Sequence, residues 1–309
     1  MRPMPEGPHH HHHHAHELHQ YGRAFAWGMI LNLAYVAGEA GFGVVSGSLA
    51  LLADAGHNMG DVLGLSLAWG AAILGRSRPS GRYTYGLRSS SILAALVNAL
   101  ILLLITGGIA WQSVLRLQHP AAVDSRVMIW VAAVGIAVNG GTALMFASGH
   151  PRDLNLRAIF AHMAADTLVT AGVVAAGIAI ALSGWLWLDP AVSLVVSAVI
   201  VVGTWGVVKS TLGLALDAVP ESIDAEAVRA HLLALPGVAA LHDLHIWGIS
   251  TTETALTCHL VMPGGHPGDA VLSRAAHELQ HRFGIAHTTI QIEVADTDEV
   301  CALTPEHVV

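Results

Sequence analysis

Two short stretches of the 309-residue chain repeat one spacing of ionisable side chains. They are His57-x-x-x-Asp61 in LLADAGHNMGDVLGL and His162-x-x-x-Asp166 in IFAHMAADTLVTAG, and both interrupt otherwise apolar segments. Residues four apart share a helix face, so each pair projects together, and Asp54, three residues before His57, shares the first face. An ionisable side chain at mid-membrane costs about 2.5–3.5 kcal/mol on insertion scales. Four of them therefore require a partner or a wet cavity. Two imidazole nitrogens and two carboxylate oxygens make a tetrahedral donor set suited to Zn²⁺, although imidazole also serves cobalt and nickel. For Asp54, Glu39 or Asn32 taken singly, a hydrogen bond to a neighbour is an equal reading. Asn98 and Asn139 read as helix–helix hydrogen-bonding residues.

The composition says what must hold these residues. The chain is 53% hydrophobic and only 12% charged, against about 25% charged in soluble domains, and its mean hydropathy is +0.57. These values describe a membrane protein. About 20 apolar residues cross a bilayer as a helix, and six windows qualify: 24–45, 48–75, 91–116, 127–148, 156–182 and 188–210. Six spans put both termini on one side. Arg76, Arg78, Arg82 and Arg88 occupy the second connection, with Arg152 and Arg157 at the fourth. The third has only Arg116 and Arg126, and the first and fifth have none. By the positive-inside rule the termini and the even-numbered loops are expected in the cytoplasm, the protein lying in the inner (cytoplasmic) membrane. Arg23 and Lys209 agree with that orientation.

The N-terminus lacks the apolar core of a signal peptide. Its run His9–His14, continued by His16 and His19, reads either as a native metal-binding tract or as an expression tag, and contributes nothing to the fold argument. No basic patch with interleaved aromatics is present, so nucleic-acid binding is not expected. Cys258 and Cys301 lie far apart and imply no disulfide framework.

After Pro220 the long apolar runs give way to short elements. IDAEAVRAHLLALPG has helical spacing, with Asp224 at its start and a Pro-Gly stop. AALHDLHIWGI and TALTCHLVM are strand-like and separated by STTE, PGDAVLSRAAHELQHRFG is a second amphipathic helix, and HTTIQIEVA is a third strand. The expected architecture is an α-helical membrane protein of six transmembrane helices, followed by a small cytoplasmic α+β domain in αββαβ order. The expected layout is a His-rich tail over 1–21, a membrane domain over 22–212, a cytoplasmic domain over 220–296 and a C-terminal tail over 297–309.

With these motifs in order, the sequence resembles the cation diffusion facilitator family of zinc transporters, of the cobalt-zinc-cadmium efflux type. The resemblance covers roughly residues 22–295. It rests on SGSLALLADAGHNMGDVLGL, YTYGLRSSSILAALVNALILL, AHMAADTLVTAGVV, WLDPAVSLVVS and GVAALHDLHIWGIS. It implies a homodimer in the membrane, each protomer exporting a divalent cation from the cytoplasm in exchange for protons. The cation would be Zn²⁺ above all, with Co²⁺, Ni²⁺ and Cd²⁺ as further substrates. The family's transport ligands fall on His57, Asp61, His162 and Asp166. Binding metal requires neutral imidazole and ionised carboxylate, so it displaces protons; His is the natural proton carrier and Asp54 a relay. The tail would be metallochaperone-like and take regulatory zinc through His242, His259 and Glu293, with Gln291 where some relatives have His and Cys301 as an additional ligand. His277 and His281, four apart, read instead as a solvated helix face.

Two departures stand out. The GRSRPSGRYTYGLRSS connection has neither His nor Asp, so a second metal site that some relatives place there is not expected. Ser91 stands where many relatives carry an acid. Two other classes use the same residues: a membrane-embedded metalloenzyme with an activated water, and a sensor that signals through the tail without transport. The enzyme would need an open coordination position, a general base and substrate-recognition groups, of which the spans offer only Asp54.

Overall fold

The computed structural model describes residues 17–147 and 154–294. Six long helices come first: α1 (Glu17–Ser46), α2 (Leu49–Gly75), α3 (Ser90–Gln118), α4 (Ser125–Ala147), α5 (Leu154–Ser183) and α6 (Leu188–Ala215). The tail follows as α7 (Ala225–Leu233), β1 (Ala240–Gly248), β2 (Thr254–Val261), α8 (Asp269–Phe283) and β3 (Ile285–Glu293). Each predicted span falls on one helix, and the αββαβ order is the one observed. The helices mostly run past the predicted windows, because hydropathy marks the hydrocarbon-crossing part while backbone hydrogen bonding carries the helix on into polar sequence.

Among the described residues, Ser90–Gln118, Phe160–Ser183 and Leu188–Ala215 are long and apolar enough to cross a membrane. The helices also turn apolar side chains outward, with Leu104 79% and Leu182 84% exposed. Exposed apolar surface on this scale marks contact with lipid or a partner rather than water.

The chain forms two compact units. One comprises Met1–Val62 with Gly107–Ser197. Within it α5 packs on α4 and α1 on α4, around buried Leu51, Met128, Ala132, Val173 and Ile180. The turn between α1 and α2 is held from three directions. Gly47 takes φ 69°, a conformation cheap only for glycine, and lets Ser48 N–H reach the Gly43 carbonyl at 3.0 Å. Ser48 Oγ then accepts from Leu51 N–H at 3.1 Å as an N-cap. Asp189, fully buried at the start of α6, accepts from Ser48 Oγ at 2.6 Å, Leu49 N–H at 2.8 Å and Ala50 N–H at 3.2 Å. The Arg116 guanidinium lies 4.0 Å from that carboxylate and donates to the Gly47 carbonyl. This staple fixes the first turn of α2, the helix that carries His57 and Asp61.

The other unit comprises Leu63–Thr106 with Ala198–Val309. Its sheet has the order β1-β2-β3, with β1 antiparallel and β3 parallel to β2. The parallel pairing requires the crossover that α8 supplies. Asp224 caps α7 through Glu226 N–H and Ala227 N–H, as its position predicts, and Gly284 ends α8 in the left-handed conformation at φ 72°. Val228, Leu232, Leu256, Leu260, Leu279 and Ile285 form the core between helices and sheet. The tail also meets the start of α3: Ser89 Oγ donates to the Ile249 carbonyl at 3.1 Å, and Thr251 N–H donates to Ser91 Oγ at 3.1 Å. Arg88 and Glu253 form an ion pair beside them. Ser91 thus anchors the 249–253 loop through a neutral hydroxyl.

The two asparagines read as interhelical hydrogen-bonding groups each leave a buried amide atom unpaired. Asn98 packs its amide tightly against Gly64, yet its Oδ1, like Nδ2 of Asn139, is buried without a hydrogen bond.

Candidate metal sites

His57 and Asp61 sit one turn apart on α2, and His162 and Asp166 one turn apart on α5, all within the first unit. The structure brings the four side chains into one ring. His57 Nε2 is 3.0 Å from Asp166 Oδ1 and 4.0 Å from Asp61 Oδ2. His162 Nε2 is 3.3 Å from Asp61 Oδ2 and 3.6 Å from Asp166 Oδ2. Zinc–ligand bonds of about 2.0–2.2 Å in a tetrahedron separate neighbouring donors by roughly 3.3–3.6 Å; donor atoms of His57, Asp61 and Asp166 all lie within 4.8 Å of one another, and His162 reaches the two carboxylates from the edge of that group. Oδ2 of Asp166 is buried and makes no hydrogen bond, leaving a lone-pair acceptor aimed at the centre. Burial is graded across the ring: Asp166 is 5% exposed and His57 19%, whereas His162 is 47% exposed. The cage has a dry wall and an open one.

Beside it runs a buried polar chain. Asp54 is fully buried; its Oδ2 accepts from Thr170 Oγ1 at 2.8 Å, and its Oδ1 makes no hydrogen bond. Thr170 Oγ1 also lies 2.9 Å from the Asp166 carbonyl, so a single hydroxyl proton has two acceptors, one of them on the backbone of a cage residue. On α1, Glu39 accepts from Tyr35 at 2.8 Å and from Asn58, the residue after His57, at 3.1 Å. The hydrogen-bonded reading of Glu39 is therefore what is observed. Thr170 and Tyr35 were missed in the sequence, since a threonine or tyrosine in an apolar helix carries no signal of its partner.

In the tail, His242 and His259 face each other across β1 and β2, their ring centroids 5.1 Å apart. Glu293 Oε1 lies 3.3 Å from His242 Nε2 and 2.9 Å from His259 Nδ1. His242 Nε2 is buried with no hydrogen bond, so the donor set fits a metal. Gln291 turns aside, its Nε2 3.5 Å from Glu293. The sequence missed Asp243. A β-bulge between His242 and His245 puts one extra residue in β1, with Asp243 at φ 52°. Strict alternation would send His242 and His245 to opposite faces; the bulge returns both to the face of His259. Asp243 then contacts His245 Nε2 at 2.9 Å and His259 Nε2 at 3.4 Å. Cys258 is buried in the core, where burial, and then the Asp243 carboxylate, push its thiol up to about 12. The rings of His277 and His281 lie 4.2 Å apart, tilted by 53°, on an exposed face. Cys301 and the His9–His14 run lie outside the described residues.

A helical membrane region followed by a small α+β tail, each holding a His/carboxylate cluster, defines a class of polytopic membrane protein rather than a single activity. Comparison with known proteins narrows the class. Residues 27–214 match the cation efflux transmembrane domain and residues 220–295 the cation efflux protein cytoplasmic domain. The chain belongs to the cation efflux, or cation diffusion facilitator, family. It is 33% identical to the metal cation efflux system protein CzcD of Cupriavidus metallidurans, over 91% of this chain and 89% of that one. It is 33% identical to a cadmium, cobalt and zinc/H(+)-K(+) antiporter of Bacillus subtilis, over 85% of this chain and 86% of the relative. The zinc transporter ZitB of Escherichia coli is also 33% identical, over 87% and 86%. The family is one of membrane transporters, which sets the metalloenzyme reading aside.

Proposed function

We propose that the chain exports divalent cations, Zn²⁺ foremost and Co²⁺, Ni²⁺ or Cd²⁺ secondarily, from the cytoplasm in exchange for protons, with His57, Asp61, His162 and Asp166 as the ligands. The observation that carries this reading is the ring of donor atoms from α2 and α5 at 3.0–4.0 Å. The two carboxylates match the charge of one divalent ion. Two imidazoles and two carboxylates, without a thiolate, favour zinc among the borderline metals. The names of the relatives, a zinc transporter and a metal/H(+)-K(+) antiporter, agree in substrate and in coupling.

The exchange follows from the same geometry. Zinc requires both imidazoles neutral and both carboxylates ionised, so it enters by expelling protons. When zinc leaves, unpaired carboxylates at low dielectric are costly, and each His stands within 3.0–3.3 Å of a carboxylate oxygen that its own protonation would satisfy. Asp54 is placed to relay protons, because Thr170 links it to the backbone of Asp166 and its Oδ1 is free to take one.

The termini and the 76–90 loop are assigned to the cytoplasm of an inner-membrane protein, supported by the arginine distribution. The domain limits proposed are 1–21, 22–212, 220–296 and 297–309. The tail is assigned as the homodimer contact and as a regulatory zinc site built on His242, His259 and Glu293, supported by the match to the family's cytoplasmic domain. Metal flux in proteoliposomes under an imposed pH gradient tests the function: zinc movement that ignores the gradient removes the exchange, and no movement of any divalent ion removes transport.

A further inference from the structure

The arginines of the 76–88 connection do more in this structure than choose an orientation. Within the second unit, a cavity of about 790 Å³ is lined by Arg76, Arg78 and Arg88 together with the 250–253 loop of the tail. Its size falls in the range of pockets that enclose small molecules, roughly 300–1,000 Å³. The chemistry changes along its length. One end presents three guanidinium groups against one carboxylate, that of Glu253, which Arg88 already engages. Among the described residues neither Arg76 nor Arg78 has an ion-pair partner. The rest of the lining follows α2 from Gly75 back to Gly64, eleven residues and so about 17 Å at the helical rise. That stretch is walled by Ala68, Ala72 and Ala95, small side chains that leave a groove between α2 and α3.

We propose that this cavity binds an anionic phospholipid, with its phosphate held by Arg76, Arg78 and Arg88 and its proximal acyl chain lying along Ala68, Ala72 and Ala95. Guanidinium forks match phosphate oxygens in bidentate geometry, which accounts for the cationic end. A free phosphate would leave the long apolar groove unused, whereas a phosphodiester with a chain attached fills both parts. The polar end lies where the helices give way to loop, the level of lipid headgroups. Because Ser250, Thr251 and Thr252 form part of the wall, the bound lipid touches the loop that anchors the tail to α3. Membrane composition thereby acts on tail attachment, whichever metal the protein carries.

The test uses the purified full chain in detergent, titrated with phosphatidylglycerol, phosphatidylcholine or inorganic phosphate and read by native mass spectrometry. Phosphatidylglycerol is expected to bind in preference to phosphatidylcholine. The Arg76→Gln, Arg78→Gln double variant should lower its affinity roughly 25-fold, about fivefold for each arginine at a lipid surface. Ala72→Phe, which fills the groove and keeps every arginine, should weaken phosphatidylglycerol and leave inorganic phosphate unaffected. Equal binding of the two lipids, an unchanged preference in the Arg76→Gln, Arg78→Gln variant, or an unchanged phosphatidylglycerol affinity in Ala72→Phe overturns the proposal. Inorganic phosphate that displaces the lipid at equal concentration would reduce the site to one for the free anion and overturn the lipid assignment. The readout is binding, so its failure leaves the transport reading standing.

Discussion

Asp189→Ala perturbs the position of the cage without touching a ligand. In the wild type the carboxylate satisfies two backbone N–H groups and a hydroxyl at the first turn of α2, and balances Arg116 at 4.0 Å. Alanine leaves the N–H groups of Leu49 and Ala50 unsatisfied in a buried setting, at about 1–3 kcal/mol each. It also removes the carboxylate 4.0 Å from Arg116, whose side chain is 25% exposed, so this part costs less than the about 3–5 kcal/mol of breaking a fully buried ion pair. These contributions overlap, since the same atoms are counted in both, so the expected loss is about 3–5 kcal/mol. At about 2–4 °C per kcal/mol for a domain of this size, the melting midpoint should fall by roughly 6–20 °C, read from intrinsic tryptophan fluorescence of the purified protein. His57 is nine residues beyond Ser48, about 14 Å along α2, so the frayed turn does not reach it directly. Transport should therefore survive at low temperature with a raised KM for zinc, because α2 is less firmly placed against α5. Asp189→Asn keeps one acceptor oxygen and should lose about half as much. A midpoint within about 2 °C of wild type for Asp189→Ala would show that the staple does not hold α2.

Three further outcomes are expected. Zinc should raise the unfolding temperature of the isolated 220–296 domain in calorimetry, and the His242→Ala, His259→Ala pair should abolish the gain; an equal gain in the double variant removes the tail site. Arg82→Cys should resist a membrane-impermeant thiol reagent added outside intact cells, and labelling there would reverse the orientation. His57→Asp keeps four ligands but replaces a borderline nitrogen with a harder oxygen and adds a negative charge. It should fold and retain some flux while the preference for zinc over cadmium narrows, whereas an unchanged metal ratio in vesicle flux would mean His57 does not set selectivity.

How much of this could be read from the sequence depends on the range over which each feature is encoded. The two His-x-x-x-Asp pairs were legible because helical spacing is local, and because charge in an apolar run demands a partner. That the pairs meet each other was an inference from cost, and the structure supplies the 3.0 Å contact between His57 and Asp166, 109 residues apart. The tail's αββαβ order was legible from alternation and from the Asp224 cap. The bulge at His242–His245 was not, since one inserted residue inverts every later side chain and HDLHIW contains no Gly or Pro to announce it. Asp243 was lost with it. The Asp189 staple was equally hidden: WLDP reads as a helix start, and nothing local says that its carboxylate caps a helix about 140 residues earlier. Neighbouring polar residues were read singly as hydrogen-bonding groups, which holds for Glu39. Asn98 and Asn139 each keep a buried amide atom without a partner, because a helix face specifies the neighbour but not whether its atoms can donate or accept.

The measurement that bears most directly on the cage is zinc flux into proteoliposomes under a pH gradient. It would compare Ala variants at positions 57, 61, 162 and 166, singly and in pairs, with membrane insertion verified. A four-coordinate cage loses its geometry with the first ligand, so each single variant should fall by at least about 100-fold, beyond the 10–100-fold typical of losing a group that only supports a ligand. A second substitution should add little, as for residues that act as one unit. Substantial zinc flux surviving in correctly inserted Asp61→Ala or Asp166→Ala would mean that the ring between α2 and α5 is not where the ion is held.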